Sequence, residues 1–258
     1  MKSFIYSFES EWLKKKRSLG SWLVIVGAFF TPVIIIIARL IRHTTLEGIY
    51  EKDNFWRSLW HSSWESMAIF LLPMGVIMAT SLITQLEYKN NTWKQLHTLP
   101  LSYTTIFFSK LLVIVVMVLQ FFILFNIGIY LSAVIPYMLV SGVHYPAANI
   151  PFAEILKEDL LFFIDCLPII ALQYLISLQF KNFLLPIGIG FGLWMGSISA
   201  LSWKFGYLIP YTYSMLNFLK DGNKAATPGI NIHYLAIGYF IIFTIVSYWL
   251  YVRKNEKG

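Results

Sequence analysis

Six apolar runs of about twenty residues decide what this chain can fold into. A bilayer's hydrocarbon core is about 30 Å thick and a helix rises about 1.5 Å per residue, so about 20 consecutive apolar residues cross it. Leu19–Ala38, Ser66–Leu86, Leu111–Ile135, Leu160–Phe180, Asn182–Trp203 and Ile232–Val252 reach that length. Inside them the ionisable exceptions are Asp165 and His233. The runs are too long and too uniformly apolar for the alternating ten-residue strands of a membrane barrel. They take up about half of the chain, which leaves no room for a second folded domain. The expected fold is therefore an all-α polytopic membrane protein, a single transmembrane domain over 1–258. Composition agrees, with 57% apolar and 13% charged residues, against about 25% charged in soluble domains.

The net charge of +7 does not point to nucleic acid, because the basic residues flank the apolar runs instead of lining one face. They read as topology signals. With the N-terminus inside, the inner segments carry twelve basic and four acidic residues, including the Lys14–Arg17 cluster. The outer segments carry eight basic and nine acidic residues, which splits the charge into +8 and −1. Six spans then leave both termini in the cytoplasm. The first run is longer than the apolar stretch of a cleaved signal peptide, and eighteen residues precede it.

Residues 1–18 read as an interfacial helix. Phe4, Ile5, Phe8 and Trp12 recur at helical spacing, while Ser3, Ser7, Ser10, Glu11 and Lys14 are expected to face away. Between the second and third runs, Thr92-Trp93-Lys94-Gln95 fits a capping box and Pro100 stops the chain. A short helix of about two turns over 90–99 follows. Trp93 and Leu96 share one face of it, with Leu99 just beyond. That face suits a partner surface, or alternatively the lipid headgroups. Trp56, Trp60 and Trp64, four apart, make one stripe at the outer entrance to the second run. They read as an interfacial belt or, more sharply, as an outer gate. Gly188, Gly192, Gly196 and Ala200 repeat every four residues in the fifth run. Such a face lets two helices approach closely, either within the chain or across a dimer.

No Gly-x-x-x-x-Gly-Lys-[Ser/Thr] loop is present, so the chain does not bind ATP by that device. No His-Glu-x-x-His pair occurs, the five histidines sit in separate segments, and Cys166 is the single cysteine. No catalytic, cofactor-binding or metal residues are expected. Asp165 and Glu65 are the acids nearest the bilayer and lie toward the outer ends of their runs.

The stretch from Glu87 to Lys110, with Asn91-Thr92-Trp93-Lys94-Gln95-Leu96, Leu99-Pro100-Leu101-Ser102 and Ser109-Lys110, resembles the core of the permease subunit of type-two ABC exporters. Leu172-Gln173-Tyr174, Phe180-Lys181-Asn182-Phe183, Pro186-Ile187-Gly188-Ile189-Gly190 and Pro210-Tyr211 are similar to the subgroup linked to lantibiotic immunity and peptide-antibiotic resistance. The resemblance implies a permease, not an enzyme, in the cell membrane. It would work with a separate cytoplasmic ABC ATPase that holds the ATP and magnesium, and with a second copy or a related permease. It implies that Glu87, Asn91, Thr92, Trp93, Gln95, Leu96, Leu99 and Pro100 couple to that ATPase, and that spans one and five line the permease–permease seam. The cargo would be an amphipathic or hydrophobic molecule, such as an antimicrobial peptide, moved outward. The alternative reading is an ATPase-independent channel or ion-coupled carrier in which Asp165 and Glu65 matter most.

Overall fold

The computed structural model describes residues 2–16, 18–86, 101–219 and 231–256. Among these every regular element is helical. The helices are α1 (Lys2–Lys15), α2 (Leu19–Ile41), α3 (Leu46–Tyr50), α4 (Phe55–Ser66), α5 (Leu72–Thr84), α6 (Tyr103–Leu139), α7 (Phe152–Gln179), α8 (Leu184–Ala200), α9 (Tyr213–Leu219) and α10 (Ile232–Glu256). A π turn, Met67–Leu71, fuses α4 and α5 into one helix, Phe55–Thr84. Five helices are long and apolar enough to cross a membrane: Leu19–Ile41, Phe55–Thr84, Tyr103–Leu139, Phe152–Gln179 and Ile232–Lys254. The chain is an all-α polytopic membrane protein. The sixth apolar helix, α8, has 17 residues and spans about 25 Å, short of a ~30 Å core. Residues 201–212 then fold back tightly: a Cβ on Gly206 would lie 2.2 Å from the Ala200 carbonyl oxygen. Beyond the turn Tyr211, Tyr213 and Met215 are buried, and burial pushes both phenols up in pKa.

The spans extend past the apolar runs that announce them. Helix α6 begins eight residues before Leu111 and passes through Pro136, where the apolar run was expected to end. Helix α7 begins at Phe152 and the second span at Phe55. The added turns are amphipathic. They keep the helical hydrogen bonds outside the hydrocarbon, where polar side chains cost little.

Prolines inside spans tie the bundle together. A proline has no N–H, so the carbonyl four residues earlier loses its helical donor. Pro73 thus frees Ile69, and Trp194 Nε1 of α8 donates to the Ile69 carbonyl at 3.1 Å. The Ser214 hydroxyl donates to the neighbouring Ala68 carbonyl at 3.0 Å. Pro136 frees Ser132, and Arg39 of α2 donates to the Ser132 carbonyl at 2.9 Å. The Tyr50 hydroxyl takes the Ala133 carbonyl at 2.7 Å.

A polar hub joins spans two, four and five. Gln173 Nε2 donates to the Ser81 hydroxyl at 2.7 Å and to the Pro186 carbonyl at 2.8 Å. Gln85 donates to the Ser177 carbonyl at 2.7 Å. Buried interhelical hydrogen bonds in membranes are worth about 0.6 kcal/mol each, up to about 1.7. The hub needs close backbones, and Gly190 supplies the approach.

Helix α1 corrects one expectation. Ser7 and Glu11 do not face away; they are buried against α6. The Ser7 and Ser109 hydroxyls are 2.8 Å apart, and Glu11 lies 3.7 Å from Lys110 Nζ. Lys15 Nζ donates to Gln120 at 2.8 Å and sits 3.6 Å above the Trp12 ring. Burial lowers the Lys15 pKa to about 8. The reason for the inversion is pairing: each of these polar groups meets a complementary one on α6, which outweighs its exposure to water.

Both termini lie at one end of the bundle. Lys254 donates to the Leu178 and Gln179 carbonyls at 2.8 and 3.2 Å, and Tyr103 sits beside Tyr251. This end is the termini face; α3, α4 and α9 form the far face.

A Cβ at position 190 would lie 2.5 Å from Gln173 Oε1 and 2.7 Å from Ile77 Cγ2, whereas one at Gly192 meets nothing within 4 Å. Gly190→Val should therefore destabilise the detergent-solubilised chain by about 1–3 kcal/mol, and Gly192→Ala should leave its melting midpoint unchanged. Equal midpoints for both variants would contradict the packing described.

Candidate functional site

The far face holds a concavity that joins polar groups to an apolar wall. It is a cavity of about 610 Å³ between α4, α6 and α7. Trp56 and Trp60 line it, together with Tyr130, Asn126 and Asp159. The α4 stripe has split by role. Trp56 stacks on Tyr130 at 5.9 Å and 11°, and its Nε1 donates to the Ala148 carbonyl at 2.9 Å. Trp60 is half-buried on the cavity wall. Trp64 is fully buried and stacks on Phe162 at 4.0 Å and 9°, with Phe125 edge-on at 5.3 Å. The four-residue spacing put all three on one face, but that face rolls from the cavity into the core as α4 enters the π turn.

Asp159 stands one residue before the Leu160–Phe180 run, next to Glu158, and so falls outside the apolar pattern. It is 8% exposed. Asn126 Nδ2 donates to its Oδ2 at 2.7 Å and to the Phe122 carbonyl at 2.9 Å. Beside the cavity Arg57 pairs with Glu154 at 2.5 Å, with both side chains exposed. The signal available in the sequence was Asn126, one of two amides, with Gln120, in an apolar run.

Asp165 is fully buried and lies 2.9 Å from His233 Nδ1 at the start of α10. This pair staples α7 to α10. Glu65 is exposed on the far-face part of the second span. The structure does not bring it together with Asp165.

Gly188, Gly192 and Gly196 point away from the bundle: a Cβ at any of them would meet nothing within 4 Å. Ala200, which ends the repeat, is half-buried. Packing inside this chain uses Gly190 instead. Helix α5 packs against both α2 and α8. Helix α2 exposes Trp22, Val26, Phe30 and Ile34, and a wholly apolar groove of about 280 Å³ runs between α2 and α5 past Gly27 and Gly75.

Glu87, Asn91, Thr92, Trp93, Gln95, Leu96, Leu99 and Pro100 lie outside the described residues. The residues before and after them belong to the termini face. Gln85 donates to the Phe180 carbonyl at 2.5 Å, and Thr104 is hydrogen-bonded to Tyr248 at 2.7 Å. No group of three or more His, Cys, Asp or Glu that could hold a metal occurs among the described residues.

Trp64→Ala should lower stability by about 3 kcal/mol, because it empties a fully packed site. Trp60→Ala, at the cavity wall, should cost less than half as much. Thermal unfolding in detergent checks the order of the two, and equal losses would contradict the division of the stripe.

No curated protein and no solved structure matches the chain. The family described as ABC-2 family transporter protein matches residues 7–197. That region takes in α1, the first four spans and most of α8, including the hub, the cavity and the outward glycine face. The chain belongs to the ABC-2 transporter family: it is a multi-pass membrane protein and the permease component of an ABC transporter.

Proposed function

We propose that this permease exports an amphipathic or hydrophobic substrate, using ATP hydrolysed on a separate cytoplasmic ATPase. The carrying observation is the family match over 7–197 in a chain that has no nucleotide-binding loop of its own. A permease without an engine needs a docking element, and the segment from Glu87 to Pro100 is the candidate. Its capping box, its Trp93–Leu96 face and its proline stop favour a short helix. Its neighbours on both sides belong to the face that carries both termini. The excess of Lys and Arg in the segments of that face favours a cytoplasmic location in the cell membrane. Coupling requires only that this element dock differently on the open and closed ATPase, so that nucleotide shifts the permease between two states.

The outward face of α8 and the exposed face of α2 suit a seam with a second permease. Open glycines allow backbone approach, which is how helices associate where lipid removes the hydrophobic drive. Membership of the lantibiotic-immunity group rests on the Leu172–Pro210 pattern, and the aromatic-rich cavity agrees with an amphipathic cargo such as an antimicrobial peptide. The ion-coupled alternative would need Asp165 to exchange protons, yet Asp165 is buried against His233 as a structural pair.

Trp93→Ala and Leu96→Asp should leave the membrane fold intact and abolish co-purification of a cytoplasmic ABC ATPase co-expressed with this chain. Retained co-purification in both variants would overturn the docking role. Transport by the chain alone under an ion gradient would favour the carrier instead.

A further inference from the structure

Two buried polar groups at the cavity, the Asp159 carboxyl and the Trp60 indole, depart from the pairing rule. The Asp159 Oδ2 is satisfied by Asn126 at 2.7 Å, but its Oδ1 is buried and makes no hydrogen bond. The Trp60 indole N–H faces the same carboxyl without reaching bonding geometry, and it too is buried and unbonded. Asn126 has little more to give, since its Nδ2 also serves the Phe122 carbonyl. A carboxylate held in apolar surroundings is costly unless a cation meets it. The cavity around it is lined by the aromatic rings of Trp56, Trp60 and Tyr130. It opens sideways past Ile123 and Leu156, which are 63% and 71% exposed.

We propose that this cavity binds the ammonium head of an amphiphile. Asp159, held by Asn126, is the counter-ion and supplies Oδ1 as acceptor for an ammonium N–H. The Trp56 and Trp60 rings flank the cation, the geometry in which aromatic faces attract ammonium groups. The tail leaves between Ile123 and Leu156. An anionic head is repelled by the same carboxylate, and a neutral one gains no ion pair. The head belongs either to an amine-bearing lipid or to a free cationic amphiphile, and the test separates the two. As a statement about cargo this rests on the transport reading, but occupancy belongs to this chain alone.

The test uses the purified chain in nanodiscs of phosphatidylglycerol, which carries no amine. A long-chain alkylamine with a photoreactive diazirine in its tail is compared with the matching alcohol. The amine should label the α6 and α7 walls of the cavity. Asp159→Asn should cut that yield about tenfold, the loss of an ion pair and a cation–π contact, and leave the alcohol's labelling unchanged. Ile123→Trp fills the cavity from an exposed position, spares the Asp159–Asn126 pair and should also suppress the amine. Should Asp159→Asn fail to fold, Ile123→Trp and the amine–alcohol comparison still decide. Equal labelling by amine and alcohol, or full amine labelling in either folded variant, would overturn the proposal. Competition by added phosphatidylethanolamine assigns the head to lipid, and its absence assigns it to a free amphiphile; both support ammonium recognition. No outcome touches ATPase co-purification, so this site and the transport reading fail separately.

Discussion

In hydrocarbon there is no water to receive a stranded backbone group, so every one must be satisfied from within the protein. This constraint organises the bundle. Pro73 removes a donor inside the second span and Pro136 one in the last turns of α6. In a soluble helix solvent would take up the loss. Here Trp194 reaches from α8 to the Ile69 carbonyl and Arg39 reaches from α2 to the Ser132 carbonyl. Each local defect thereby becomes a bond between spans: two to five, and one to three. The π turn at Met67–Leu71 belongs to the same economy, because its Ala68 carbonyl is taken by Ser214.

Those bonds set what remains free. With Gly190 committed to the Gln173 hub, the other glycines of α8 turn outward. With Arg39 and Tyr50 holding α2 to the far end of α6, the opposite side of α2 is left apolar and open. The proposed seam therefore uses the surfaces that internal satisfaction leaves over. The far-face cavity has a similar origin. Trp56 is fixed to the Ala148 carbonyl and Trp64 is sunk among Phe122, Phe125 and Phe162, which leaves a gap where Trp60 and Asp159 face each other.

The spans were legible because twenty apolar residues in a row have few other uses. Their ends were not, because the extensions at Phe55–Ser66 and Phe152–Asp159 are amphipathic and look like loops to a hydropathy argument. Pro136 misled for a related reason: a proline stops an isolated helix, but Arg39, 97 positions away, repairs the damage. The polar face of α1 was assigned to water because its partners Ser109 and Lys110 are remote in sequence. Asp165 and His233, 68 residues apart, could not be paired without the bundle. Asp159 was hidden by its acidic neighbours Glu154 and Glu158. The Gly188–Ala200 repeat was visible, but periodicity alone did not reveal that Gly190, off the repeat, makes the close internal contact among the α8 glycines.

We propose that the face bearing both termini, to which Gln85 and Thr104 on either side of segment 87–100 belong, meets an ATP-driven partner in the cytoplasm. In a Cys166→Ala background, single cysteines at Asn91 and at Asp53 can be probed with a membrane-impermeant maleimide on intact cells. The account predicts labelling at position 53 in intact cells and at position 91 only after the cells are opened. Labelling of position 91 on intact cells would contradict it.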